Sequence, residues 1–206
     1  MDKDINIRIK EIKLSFRTVM DGAIAQSMRQ KGLDYHLNWG VTLPRLQEMA
    51  TEIGPDYRLA IELWKENIRE CKILATMLMP KGEMLAEVAD LWMEQTESIE
   101  VAEQTAMNVF QYLPCAAERA YKWIATDRPL YQLCGFNILS RLFMDGREPN
   151  ERGINEFIDQ ALAAIQQDPV YVSKAAMNSL TRFSQLGLVY KRLAESALRT
   201  IGLSLM

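Results

Sequence analysis

The sequence predicts an all-α fold in which antiparallel helix pairs stack into a right-handed α-α superhelix. Three observations support this fold class. Apolar residues recur at spacings of three and four along most of the 206-residue chain, as in helices that bury one face. Pro80, Pro114 and Pro149 are separated by 34 and 35 residues, the length of one helical-hairpin repeat. No segment alternates strictly between polar and apolar residues, so we predict no strand.

The seven prolines place the helices in chain order. Proline fits the first turn of a helix and disrupts its interior, so each proline marks a helix start. We predict two N-terminal helices, a long one over 4–30 and a short one over 42–53. Four helix pairs follow, at 55–66 with 68–79, 82–94 with 97–112, 115–126 with 129–145, and 150–166 with 169–185. A capping helix over 188–202 completes a single helical-repeat domain, 1–206, with N-terminal helices in 1–53 and repeats in 55–185.

Composition restricts the classes of partner. Lys and Arg total 24 against 27 Asp and Glu, a net charge of −3, so there is no global positive field for nucleic acid or an anionic membrane. The charged N-terminal segment lacks the apolar stretch of a secretory signal, and no 18-residue apolar run occurs. We therefore expect a cytoplasmic protein without membrane contact.

Few residues offer nucleophilic, metal or cofactor chemistry. The three cysteines show no CxxC pairing, so buried reduced thiols are expected rather than disulfides or a zinc site. His36 is the only histidine, and we interpret it as structural or exposed. The glycines form no phosphate-binding loop, and we predict neither a cofactor nor a metal.

An acidic run is the clearest charge feature. Acids recur every three or four residues, and no basic residue occurs from 82 to 118. The run consists of Glu83, Glu87, Asp90, Glu94, Glu97, Glu100 and Glu103. A solvated helix face is the first interpretation, although repulsion between such close carboxylates also favours a basic protein partner or a divalent cation.

Four segments carry a further pattern, in register: NWGVTLPRLQEMA (38–50), LWKENIRECKILA (63–75), SIEVAEQ (98–104) and VSKAAMNSLTR (172–182). They resemble the GV..P.L..LA, LW.S.IHE.R.LA, SWDLCDQ and VKKAVNWALRQ segments of the DNA alkylation repair family, the HEAT-like helical-repeat DNA glycosylases of the AlkD type. The resemblance covers roughly residues 35–187. It implies a concave, basic, aromatic-lined cleft that cups duplex DNA and releases N-alkylated purines, with 97–112, 129–145 and 169–185 as inner helices.

The resemblance also implies which positions carry the family chemistry. An aspartate stabilises the oxocarbenium-like sugar between two tryptophans, and charge stabilisation with positioning suffices for a cationic leaving base. Here Glu103 takes the place of the aspartate, while Ile99 and Asn178 take those of the tryptophans. Gln132 and Leu133 replace a pair of arginines.

Two basic residues of the last segment are the candidates for nucleic-acid contact. Lys174 matches a basic position of the family, and Arg182 lies one position beyond the family's arginine. We predict weak binding to duplex DNA because of the net negative charge and the missing arginine pair.

Three functional hypotheses follow. The first is a weakly active or non-catalytic relative of these glycosylases that still associates with nucleic acid as a scaffold. The second is an active glycosylase with Glu103 as the catalytic carboxylate. The third is a protein-interaction repeat that binds a basic partner through the acidic face 83–103.

Overall fold

The computed structural model describes residues 3–33 and 35–205, which form twelve α-helices, one 3-10 turn and no strand. The predicted all-α fold class is confirmed. The chain divides into two compact units, Met1–Leu113 and Pro114–Met206. The first unit contains α1 (Lys3–Thr18), α2 (Gly22–Gln30), α3 (Leu43–Ile53), α4 (Tyr57–Lys65), α5 (Arg69–Leu78), α6 (Ala86–Glu94), α7 (Ile99–Asn108) and the 3-10 turn Phe110–Tyr112. The second contains α8 (Ala116–Ile124), α9 (Pro129–Met144), α10 (Glu151–Ile165), α11 (Val170–Ser184) and α12 (Leu188–Thr200).

In the first unit, α5 is the central helix. It packs against its pair partner α4 and also against α3 and α7, the second helices of the neighbouring pairs. The first helices of successive pairs meet through the stacked indoles of Trp64 and Trp92, whose ring centroids lie 4.0 Å apart. Burial of these side chains in two helix layers is the arrangement that amphipathic helix pairs require.

In the second unit, α9 and α11 occupy the corresponding position. α9 packs against α8 and α11, and α11 also contacts α10 and α12. Phe143, Phe157 and Phe183 form an aromatic cluster between α9, α10 and α11, with ring centroids 5.1–5.5 Å apart. Such pairs add to the free energy gained from burying their area.

The predicted long helix over 4–30 is wrong, because the chain breaks between α1 and α2. The Asp21 carboxylate accepts hydrogen bonds from the N–H groups of Ala23 and Ile24 at 2.9 and 3.0 Å. This N-cap satisfies donors at the start of a new helix. The Asp21 N–H in turn donates to the Trp39 carbonyl at 2.9 Å, so a distant loop holds the break in place.

Gly40 allows that loop to approach. Its φ of 74° lies in the region that favours glycine, and a Cβ there would lie 2.1 Å from the Asp21 carbonyl oxygen. No side chain fits at that distance, so the contact requires glycine. It fixes the path of residues 35–41, which we call the anchor loop.

The other predicted helices are found near their prolines, with two adjustments. The helix predicted from 82 begins at Ala86, because Gly82 adopts a φ of 77° in a turn, and the helix predicted to reach 112 ends at Asn108 before the 3-10 turn. Cys71 and Cys134 are buried free thiols, while Cys115 is free but partly exposed. Within the described residues, no helix has the length and apolar character needed to cross a membrane.

Candidate nucleic-acid interface

Three of the four family-like segments meet at the buried guanidinium of Arg69 in the first unit. Arg69 begins α5, and its side chain is 1% exposed. Its Nε and Nη2 donate to the two carboxylate oxygens of Glu100 at 2.8 and 2.6 Å, and its Nη1 donates to the Val41 carbonyl at 2.8 Å. Arginine suits this position because its planar fork matches a carboxylate at both oxygens.

Glu70 and Tyr35 complete this cluster. Oε1 of the buried Glu70 accepts from the backbone N–H groups of Trp39 and Val41 at 3.1 and 3.2 Å. The Tyr35 hydroxyl donates to Glu100 Oε2 at 2.7 Å and lies 3.0 Å from the Ser98 hydroxyl oxygen. The resulting Arg69 cluster, which comprises Tyr35, Arg69, Glu70, Ser98 and Glu100, fastens the anchor loop to the starts of α5 and α7.

The charges of the cluster are fixed by these contacts. Burial alone would raise the pKa of Glu100, but the hydrogen bonds and charge of Arg69 hold it below its usual range. Burial, together with the Glu100 charge, raises the pKa of Tyr35 well above its ordinary value. The cluster therefore contains an ionised ion pair and a neutral phenol. Its guanidinium is engaged in hydrogen bonds inside the protein.

The acids of the run 83–103 do not share one environment. Glu100 does not belong to a solvated face, because Arg69, from the preceding repeat, neutralises it. The remaining acids lie on the surface or are half-buried, namely Glu83, Glu87, Asp90, Glu94, Glu97 and Glu103. The residues that the structure describes contain no group of three or more His, Cys, Asp or Glu placed to hold a metal ion.

Glu103, the candidate catalytic carboxylate, lies on α7 one turn after Ile99. Glu103 is exposed and Ile99 half-buried, and the Glu103 carboxylate makes no hydrogen bond or ion pair with any residue in 3–33 or 35–205. Partial desolvation by the neighbouring side chains, followed by the nearby Glu100 charge, raises the pKa of Glu103. The structure thus leaves a carboxylate accessible on α7, one turn from the aliphatic side chain of Ile99.

Two candidate positions lie on α9 of the second unit. Gln132 is half-buried, and Leu133 is 2% exposed in the apolar core. An arginine could not stand at position 133 without burying its charge. The two positions that the resemblance aligns with the family's arginine pair therefore carry uncharged side chains.

The other candidates share one face of α11. Lys174, Asn178 and Arg182 recur at four-residue spacing, which aligns side chains along a helix. Lys174 and Asn178 are exposed, while Arg182 is half-buried and its Nη1 donates to the Gln185 side chain at 3.2 Å. The sequence-predicted basic residues are therefore brought together, with a polar amide between them.

Sequence reasoning missed two features, one in each unit. The second unit holds eleven Lys and Arg against nine Asp and Glu, whereas the first holds thirteen against eighteen. From residue 169 to 194 there are four basic residues and no acid. A charge count by segment could have found the basic stretch, whereas the Arg69 cluster left no local signal because Arg69 and Glu70 stand among other charged residues, Lys65, Glu66 and Lys72.

Comparison with known proteins places this geometry in a family. The family model described as DNA alkylation repair enzyme matches residues 12–184. A solved structure described as "A new family of proteins related to the HEAT-like repeat DNA glycosylases with affinity for branched DNA structures" is similar to this chain, with a TM-score of 0.82 and 17% identity over 94% of this chain and 83% of that one. At this identity the likeness shows the fold, an array of HEAT-like helix pairs. No curated protein matches the sequence. Because the family match extends over most of its length, the chain belongs to the DNA alkylation repair enzyme family.

Proposed function

We propose that the protein binds branched DNA through its second unit and does not release alkylated bases. The observation that carries this proposal is the acid-free basic stretch from 169 to 194, which spans α11 and most of α12. Lysine and arginine side chains that neutralise phosphates release bound counterions, and this release supplies most of the affinity of sequence-independent DNA binding.

The choice of branched DNA draws on two arguments. The similar solved structure belongs to proteins described as having affinity for branched DNA. In addition, the first unit carries five more acids than bases, which disfavours a long, continuous contact with the backbone of a linear duplex. We therefore expect weak binding to linear duplex at physiological salt.

We expect no base excision because other side chains stand at the positions that carry the family chemistry. Ile99 and Asn178 cannot stack on a base, and Leu133 places an apolar side chain in the core where the family has an arginine. Glu103 keeps a carboxylate but is one methylene longer than aspartate, and a misplacement near 1 Å costs roughly 100-fold in rate. DNA binding can persist without these groups, because phosphate contacts position a protein and do no chemistry.

The basic face of α11 gives the first test. Replacing Lys174 and Arg182 together by alanine is expected to weaken binding to a four-way DNA junction and to lower the magnitude of the salt slope by about 2, since each phosphate contact contributes roughly one. Fluorescence anisotropy over a range of salt concentrations measures both quantities. The matched control is Lys10→Ala with Lys31→Ala, two exposed lysines of the first unit. Unchanged junction affinity in the α11 variant would remove this face from the interface.

The catalytic status needs a separate assay. We expect no release of 7-methylguanine from alkylated duplex DNA above the uncatalysed background, and no effect of Glu103→Gln, which preserves size and removes charge. Chromatographic detection of the free base measures this. The junction affinity of Glu103→Gln provides the control for this assay, and it should be unchanged or slightly raised.

An active glycosylase is the second candidate function, because Glu103 is an accessible carboxylate without a partner among the described residues. Base release that disappears in Glu103→Gln would establish it in place of our proposal. In that case Ile99→Trp, Glu103→Asp and Asn178→Trp together should raise the rate by restoring the family pattern.

A protein partner is the third possibility. The exposed acids of 83–103 offer a surface for a basic protein. If the protein fails to bind junction DNA at low salt, this acidic face becomes the leading candidate for its function.

A further inference from the structure

We propose that a cavity in the first unit is a binding site for one unpaired nucleobase of DNA, an inference that rests on the proposed DNA binding. The cavity measures about 350 Å³ and lies at the C-terminal halves of α3, α5 and α7. Small-ligand sites occupy roughly 300–1,000 Å³, so this volume fits a single base with its sugar and excludes a duplex.

The cavity wall offers flat and polarisable surfaces. Met77 and Met79 line it with thioethers, and the half-buried ring of Tyr112 closes one side. Every base has a π-face that stacks on an aromatic ring whatever its identity, and methionine sulfur makes favourable contacts with ring edges. These side chains therefore suit a planar aromatic ligand better than a flexible aliphatic one.

The cavity lining also includes a polar side chain, Asn108, whose amide is held by hydrogen bonds. The Asn108 amide nitrogen donates to Thr76 Oγ1 at 2.9 Å and to Gln104 Oε1 at 3.1 Å, and these bonds fix the amide plane. Its carbonyl oxygen accepts no hydrogen bond from any residue in 3–33 or 35–205. An amide oxygen held in this way can accept from the exocyclic amino group of adenine or cytosine.

The charge of the cavity differs from that of its unit. Its lining includes one lysine, Lys81, and no carboxylate, although the first unit as a whole has five more acids than bases. The Lys81 ammonium lies 4.5 Å from the centroid of the Tyr112 ring. The ammonium lies over one face of the ring, so a base that stacks on this face displaces it, and the displaced ammonium can then contact the phosphate of the same nucleotide.

Bulged DNA supplies the required ligand, since it contains a base without a pairing partner. A fully paired duplex would have to extrude a base at a cost in stacking and pairing. The cavity therefore provides a physical reason for a preference for DNA with unpaired bases, independent of the basic face of α11.

The test compares two DNA probes with the full chain. One probe is a 20-base-pair duplex with a single unpaired adenine, and the other is the same duplex without it. Tyr112→Ala is expected to weaken binding to the bulged probe at least fivefold, the lower range for loss of one base–aromatic stack, and to leave the paired probe unaffected. Tyr112→Phe keeps the ring and should retain the preference, while Tyr57→Ala, a half-buried tyrosine of α4 outside the cavity, should not alter it.

Lys81→Ala provides a second variant that should fold normally, because Lys81 is exposed. It is expected to weaken the bulged complex and lower the magnitude of its salt slope by about 1. If the protein binds DNA but Tyr112→Ala and Lys81→Ala affect both probes equally, or neither, the cavity is not a base site and the proposed DNA binding stands. If the unmodified protein binds neither probe nor a four-way junction, both proposals are wrong.

Discussion

Replacing Arg69 by methionine is expected to lower the free energy of unfolding by roughly 3–5 kcal/mol, the usual cost of breaking a buried ion pair by removing one partner. Methionine has a similar length, so little packing is lost. The variant leaves the Glu70 carboxylate, which is fully buried, and the mostly buried Glu100 carboxylate without their counter-ion. Urea unfolding followed by circular dichroism at 222 nm measures the change.

The same variant changes the pH dependence of stability. The folded-state pKa of Glu100 lies below its unfolded value. The stabilisation of the fold by the Arg69–Glu100 ion pair is therefore complete above the unfolded pKa of about 4.3 and is lost as the pH falls through the folded value. The difference in the free energy of unfolding between the unmodified protein and Arg69→Met should therefore become smaller below about pH 4. Lys65→Met provides the control, since Lys65 pairs with Glu62 at the surface and is 61% exposed. Equal effects of the two substitutions would show that the Arg69 cluster does not stabilise the fold.

Gly40→Ala is expected to cost roughly 2–5 kcal/mol, which combines the cost of a left-handed backbone for alanine with that of overpacking. The added Cβ would lie 2.1 Å from the Asp21 carbonyl oxygen and 2.8 Å from the Ala25 nitrogen. Both are backbone atoms, so the anchor loop must move away from the start of α2. Thermal and urea unfolding measure the loss.

Gly32→Ala separates the two causes. Gly32 has a similar positive φ of 81°, but a Cβ there meets nothing within 4 Å. It should cost only about 1–2 kcal/mol, the conformational part alone. Equal losses in the two variants would contradict the steric argument and show that the loop relaxes freely.

Local patterns predicted the fold because proline and helical periodicity act within a few residues. Pro44 and Pro129 occupy the first turns of α3 and α9, as expected from their missing N–H and fixed φ. The break at Asp21 was not predictable in this way. It depends on Trp39 and Gly40, which approach from a separate loop, and such tertiary contacts leave no local periodic signal.

The candidate site shows the same division. The family resemblance singled out Lys174 and Arg182, and the structure places both on one face of α11. Three- and four-residue spacing assigned Glu100 to a solvated face, and that assignment was wrong, because its partner Arg69 lies 31 residues earlier, at the start of α5. The roles of Glu103 and the α11 face in DNA binding or catalysis stay predictions.

The stacked indoles of Trp64 and Trp92 give the first unit a built-in optical probe. Their planes are inclined by only 2° at a centroid distance of 4.0 Å, and the Lys72 ammonium lies 4.5 Å above the Trp64 ring. Electronic transitions of two indoles this close couple, and the coupling disappears when α4 and α6 separate. The sequence of the second unit contains a single tryptophan, Trp123. Loosening of the first unit can thus be followed by near-ultraviolet circular dichroism in the intact chain, without any label.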